Sequence, residues 1–379
     1  MSNIFVIIFN KRGQSLVLLT VSVAVLLLLA GVVLDAGNIF WQYRQLRNYS
    51  DAAALAGAVE LPQAAAARDS AAEYYSQNIA KGLKAVDAEN NTIKYMGSGE
   101  DTVYVTSPFR DDRTFRLGVP SNWTIEVRAE RIAKTFWLRL IGIRDIPIRV
   151  RSVAKGGGGW NTSILASSKT GAQGGGYSLE LSGSSNHFDR PASANHNFKV
   201  TGSGNTGTVE YSGIIDNNHV SVNNTIISRY IDPLIPPVYD MTAYQGAATF
   251  KYKGDYTFPP DARLEGIYFI DGNVKLQSRV SGKATIVATG DIKIVGNNIK
   301  LVPYDDGPML FFAGNILEIS GRGHTLNGVF YAPNGLLDMA AAYSNIYGGM
   351  VADLILFSAS NVTLSYEVRY FPGEVKLIE

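Results

Sequence analysis

Residues 16–34, LVLLTVSVAVLLLLAGVVL, constrain this chain more than any other feature of it. The stretch carries no charge, and its only polar side chains are Thr20 and Ser22. As a helix it would rise about 28 Å, close to the ~30 Å hydrocarbon core of a bilayer. A soluble core helix is rarely so uniformly apolar. A cleaved secretory signal has a shorter apolar run and a small-residue cleavage site, and no Ala-x-Ala precedes Asp35. We therefore expect one spanning anchor, with Leu16, Leu19, Val25, Leu28 and Val33 facing lipid. Residues 4–9 are apolar but too few to span, and no later run approaches the length of the first. Lys11 and Arg12 stand just before the run, whereas Asp35 follows it and Arg44 and Arg47 lie farther out. That asymmetry predicts a cytoplasmic N-terminus, with residues 35–379 beyond the membrane.

Helical character continues past the membrane. No proline interrupts the chain before Pro62. Ile39, Tyr43, Leu46 and Ala53 fall on one helical face. Phe40, Trp41 and Tyr43 sit where an aromatic belt belongs. Ala52, Ala53, Ala54, Ala56 and Ala58 combine high helix propensity with small side chains that permit close packing.

Four motifs in order, Arg12-Gly13-Gln14, the apolar run, Leu34-Asp35-Ala36-Gly37, and 51–58 with Asp51, Ala53, Ala54 and Gly57, resemble the N-terminal segment of Flp pilus-assembly TadG-like proteins of the Tad (tight adherence) machinery. The resemblance spans about residues 10 to 60. It implies an inner-membrane anchor, a large domain in the periplasm or at the surface, and pilus or secretion-system components as partners. Two departures bear on detail. Processed leaders carry Glu at the fifth position after the cleavage Gly, where this chain has Leu18, so cleavage after Gly13 is not expected. The Asp-x-Ser-x-Ser metal motif of the von Willebrand factor A domains in many such proteins is also missing, so adhesion of that metal-dependent kind is not expected.

Residues 63–85 read as helix, capped at Asp69 or Ser70. Residues 89–101 read as a loop. Strands are expected at 102–106, 123–129 and 146–154, with a short amphipathic helix at 133–141. The order predicts a small α+β layer with helices on one face of the sheet. In the last strand Ile146, Ile148, Val150 and Ser152 should face the core, and Arg149 and Arg151 the solvent. Glycines 156–159 and 174–176 mark a linker. The expected organisation is therefore 1–62 anchor and extended helix, 63–155 α+β domain, 156–176 Gly-rich linker and 177–379 all-β domain. Ser168-Lys169-Thr170-Gly171 only faintly echoes a phosphate loop and lacks a strand-to-helix setting.

Beyond residue 177 a unit of strand, corner and strand recurs. Its corners at Gly272, Gly290, Gly314, Asn334 and Asp353 repeat about every 20 residues. Such a period predicts a parallel β-helix. An antiparallel sandwich with a hairpin at Asp271-Gly272 is the alternative, but it does not account for one unit repeating in one direction. Candidate earlier strands are 177–181, 198–201, 207–215 and 219–227. The stretch 230–239, YIDPLIPPVY, must be extended and would wrap the rod or link two halves of it.

Lys plus Arg number 34 and Asp plus Glu 33, for a net charge of +1. That balance argues against nucleic acid as a partner. With no Cys, thiolate metal sites, disulfides and a Cys nucleophile are excluded. No cofactor, metal or catalytic residue is expected. His196 and His219 lie about one coil apart, a polar ladder rather than a zinc site. A carbohydrate-cleaving β-helix would need paired carboxylates. The candidates are Asp305, Asp306, Glu318, Asp338 and Asp353, with Asp338 and Asp353 on adjacent coils. Outward Tyr331, Tyr343 and Tyr347 could stack on sugars. The expected role is a membrane-anchored, non-enzymatic pilus or secretion component, compatible with adhesion. The alternative is a surface protein that binds or cleaves polysaccharide.

Overall fold

The computed structural model describes residues 11–78, 82–97, 101–156, 161–172, 176–216, 225–367, 370 and 375–378. The chain begins with one unbroken helix, α1 (Lys11–Val59), about 73 Å long. Its first part is apolar over 16–34 and exposed except at Gly31, which is buried, and Val32, which is half-buried. Its second part packs on a sheet through Leu46, Ala53, Ala54 and Ala58, all fully buried. Of the four residues expected on the packed face, Ile39, Leu46 and Ala53 are there, and Tyr43 remains 39% exposed.

A second helix, α2 (Ala64–Asn78), lies beside α1 on the same face. It begins before the cap expected at Asp69 or Ser70, because the alanines at 64–67 already favour helix. The sheet is antiparallel: β1 (Lys84–Glu89), β2 (Thr92–Met96), β3 (Thr102–Thr106), β4 (Thr124–Lys134) and β5 (Asp145–Lys155) run in order. The strand Lys376–Leu377 closes the edge against Lys155 and Ala154. The first hairpin replaces both the expected end of the second helix and the expected loop at 89–101. Its first strand is exposed at every position, so it shows no alternation, and Asn90-Asn91 forms the tight turn with Asn90 at φ 51°. The helix expected at 133–141 is also corrected. Strand β4 runs to Lys134, in register with Asp145, and only a 3-10 turn, Leu138–Ile141, follows. On β5, Ile148, Val150 and Ser152 are buried and Arg149 is exposed, as expected. Arg151 instead forms an ion pair with Glu126 at 2.6 Å and also reaches Asp111.

The rest of the chain is a parallel β-solenoid of about nine turns. One ladder passes through nearly every turn: Thr257, Lys275, Lys293, Glu318, Asp338, Leu356, Glu180, Lys199 and Asp216 pair in succession. At about 4.8 Å per rung it is roughly 40 Å long. Residues flanking it on each rung point inward and are buried, among them Leu276, Ile294, Ile319, Met339, Phe357, Leu181 and Val200. That alternation explains why most of these short strands read apolar, polar, apolar, Ile355-Leu356-Phe357 being the exception.

The order of the rungs is not the order of the sequence. The chain first meets the stack at its seventh rung, through β6 (Ile164–Ala166), inside the stretch expected to be a linker. It builds toward one end, reaching Thr225–Tyr230. It then returns along the outside of the stack and starts again at the opposite end with Phe250–Lys253. From there it builds back until Met350–Ala352 pair with Ile164–Ala166, and Ile355–Phe357 with Leu179–Leu181. The seventh turn is therefore composite, with one wall from Ser360–Ser365 and two from residues 164–181. Buried Asn186 staples this seam. Its amide donates to the Ala359 carbonyl at 2.8 Å and to Asn205 Oδ1 at 3.0 Å, and it accepts from the Val362 N–H at 3.0 Å.

The proline-rich stretch both wraps the rod and links its halves. Asn195 exchanges two hydrogen bonds with the Leu234 backbone, both at 2.7 Å. Farther along, the Tyr331 hydroxyl donates to the Pro237 carbonyl at 2.9 Å. The short helix Met241–Ala247 then places Tyr244 edge-on to Phe312. Beneath this strap lies the outward apolar ladder Phe269, Val287, Phe312, Tyr331, Val351 and Leu165, all buried. Tyr331 is thus 2% exposed and unavailable to a sugar, whereas Tyr343 is 66% exposed. The first domain clamps the strap. Asn122 donates to the Pro236 carbonyl and accepts from the Val238 N–H, both at 2.9 Å.

Candidate functional site: the docked anchor helix

The motif residues of α1 fall into a free half and a docked half. Leu16, Leu19, Val25, Leu28 and Val33 are all exposed, from 38% at Leu28 to 69% at Val33. Exposed apolar side chains on every side of a helix have no partner in water, so this part fits a membrane anchor. Arg12, Gly13 and Gln14 lie in the first turns of the same helix.

Docking begins where the apolar run ends. Asp35 is 5% exposed and accepts three backbone N–H groups from the turn between β4 and β5: Phe136 at 3.1 Å, Trp137 at 2.8 Å and Leu138 at 2.7 Å. The Leu138 N–H contributes most to holding its carboxyl below the usual carboxylate range, against the opposing effect of burial. One turn earlier, a Cβ on Gly31 would sit 2.4 Å from the Trp137 ring, so only glycine lets the indole lie on the helix. Gly37 has open space around it, and nothing in the fold explains a glycine there.

The second motif is a packing surface. Asp51 accepts from Ser152 Oγ on β5 at 2.6 Å and pairs with Arg47 at 3.3 Å. Ala53 and Ala54 are fully buried. At Gly57 a Cβ would meet Ile125 Cδ1 at 2.5 Å and the Ala67 carbonyl oxygen at 2.6 Å. The rigid backbone of α2 cannot retreat from that contact, so Gly57→Val should cost about 3 kcal/mol by overpacking. A denaturant titration of the full chain reads this as a lower midpoint at unchanged slope.

A polar cluster that the sequence does not announce locks helices to sheet. Arg131 on β4 forks onto Asp101 with two bonds of 2.7 Å and reaches Gln45 on α1 at 3.3 Å, while the Tyr75 hydroxyl of α2 donates to Asp101 at 3.3 Å. Burial, then the Asp101 charge, raises the Tyr75 phenol well above its ordinary range. In sequence, Arg131 is one more charge on a strand. Only the fold brings it to Asp101.

The carboxylates considered for sugar chemistry are not gathered as expected. Asp338 stands in register with Glu318 on one side and Leu356 on the other, not with Asp353. Burial, and then the Glu318 charge, raises the Asp338 carboxyl, and burial raises Asp353. Lys293 approaches Glu318 at 3.7 Å. Asp305 lies in the turn Tyr304–Asp306 with φ 53°, as a turn residue does. His219 lies outside the described residues, and His196 is partly exposed. Among the described residues no group of three or more His, Asp or Glu could hold a metal ion.

Residues 13–60 match the family model described as putative Flp pilus-assembly TadE/G-like. The matched segment is thus nearly coextensive with α1, and it includes the contacts of Asp35, Asp51, Ala53, Ala54 and Gly57 just described. No curated protein and no solved structure matches the chain.

Proposed function

We propose that this protein is a non-enzymatic structural or accessory component of a Tad/Flp-type pilus or secretion system, held in the inner membrane with residues 35–379 in the periplasm or outside the cell. The observation that carries this is the double character of the family-matched segment. One helix is bare and apolar at its start and built into a folded domain at its end, so whatever binds the domain is tied rigidly to the bilayer. The solenoid adds long, regular exposed faces, which suit lateral contact with other pilus components. Adhesion would use those same faces.

Cells lacking the protein should fail to assemble the pilus. The wild-type chain should restore assembly, and a chain whose residues 13–60 are exchanged for an unrelated spanning helix should not. Normal piliation without the protein would overturn the proposal. A polysaccharide-directed role is favoured by one observation, the neighbouring carboxyls of Asp338 and Glu318. Oligosaccharide turnover by the purified chain, abolished by Asp338→Ala, would replace the structural role with that one.

A further inference from the structure

The turn between β4 and β5 is apolar where a solvent-facing turn should be polar. Phe136 is 76% exposed, Leu140 72%, Ile141 54% and Ile143 45%. The turn is not loose. The Thr135 hydroxyl donates to the Ile143 carbonyl at 2.5 Å, the Thr135 N–H bonds the Arg144 carbonyl at 3.0 Å, and Gly142 at φ 93° ends the 3-10 turn. The fold therefore holds four large apolar side chains outward in a fixed shape. Contiguous exposed apolar surface of this kind marks a contact with membrane or protein.

Its position decides between the two. The turn is fastened to α1 by Asp35, just past the apolar run, and by Trp137 lying on Gly31, inside it. At 1.5 Å per residue, Gly31 lies about 5 Å toward the bilayer centre from Leu34. Anything resting on Gly31 is at the boundary between acyl chains and headgroups once 16–34 spans. Phe40 and Trp41, each 60% exposed, stand a little above that boundary on α1. Arg139 and Arg144, both exposed, flank the apolar tip, where headgroup phosphates would lie.

We propose that residues 136–143 form a second membrane contact, a hairpin tip inserted into the lipid interface beside the spanning helix. Phe136, Leu140, Ile141 and Ile143 enter the acyl region, and Arg139 and Arg144 meet phosphate headgroups. Two contacts instead of one fix the rotation and tilt of the domain relative to the bilayer. The inference rests on α1 spanning, and the test separates the two ideas.

The chain has no cysteine, so single replacements can be labelled cleanly. Leu26→Cys, Leu140→Cys and Tyr343→Cys, each carrying an environment-sensitive fluorophore, would be placed in the full chain in phosphatidylcholine–phosphatidylglycerol vesicles bearing lipid-attached quenchers. The label at position 26 should be quenched from deep in the acyl chains. The label at 140 should be blue-shifted and quenched from shallow positions, and the one at 343 should be neither. Adding Ile141→Asp and Ile143→Asp should abolish quenching at 140 and leave 26 unchanged. If 140 behaves like 343 while 26 is quenched, the tip proposal falls and the span stands. If 140 is shielded but not quenched by lipid, a protein contact covers the tip and the proposal falls. If 26 is not quenched, both fall.

Discussion

A chain ended after Ala341 should lose its earliest coils along with its last ones. The truncation removes residues 342–357, the rung on which β6 and Leu179–Leu181 are stacked, and Ser360–Ser365, which forms one wall of the composite turn. Ile164, Leu179, Leu181 and Phe188, now at most 3% exposed, would face water, as would Leu326, Phe330, Leu337 and Met339 across the gap. Exposing one such side chain costs about 1.5–3 kcal/mol. Eight together come to about 12–24 kcal/mol, enough to match or outweigh the ~5–15 kcal/mol that holds a typical domain. Asn186 would also lose two of its partners, at Ala359 and Val362, with the rest of its site buried. Hydrogen exchange should therefore show residues 164–211 unprotected in the truncated chain, though all of them are retained. Protection equal to that of the full chain would mean these coils stand alone, and the seam would be unimportant. Ending the chain after Ser365 is the control, since it keeps the composite turn.

The second large effect is expected at Arg131. Asp101 has a side chain only 6% exposed, and Arg131 supplies both of its charged contacts. Removing the guanidinium leaves a carboxylate in a site that has excluded water. Breaking such a pair from one side costs about 3–5 kcal/mol. The Gln45 contact that ties α1 to the sheet goes with it. Arg131→Ala should lower the unfolding midpoint of the helix–sheet domain strongly. The double change Arg131→Met with Asp101→Leu should recover most of the loss, because it removes the stranded charge as well. A single variant that loses less than about 1 kcal/mol would show that the pair behaves as an exposed one.

What the sequence made legible follows from the range over which each signal acts. The long apolar helix, its continuation as α1 and the repeat near 20 residues are local patterns, and all three stand in the fold. The strands expected at 102–106, 123–129 and 146–154 announce themselves by alternation, and the second of them runs on to Lys134. The first hairpin does not, because all six residues of β1 are exposed and nothing selects an apolar face. Residues 133–141 mislead for a related reason. Phe136, Leu140 and Ile141 have helical spacing, but they project from a turn and pack on no core. The order of the rungs cannot be read from spacing at all. A repeat stacks equally well on either neighbour, and only the strap and the Asn186 seam decide which coil meets which. The same limit hides the Arg131–Asp101 pair and the register of Asp338 with Glu318.

Because the chain joins and leaves the stack at one composite turn, tension transmitted from the bilayer would arrive broadside, some two turns in from one end, and would peel neither extremity first. The outermost turns bear no covalent load from the tether. They could lengthen, shorten or take on new loops while the mounting stayed as it is.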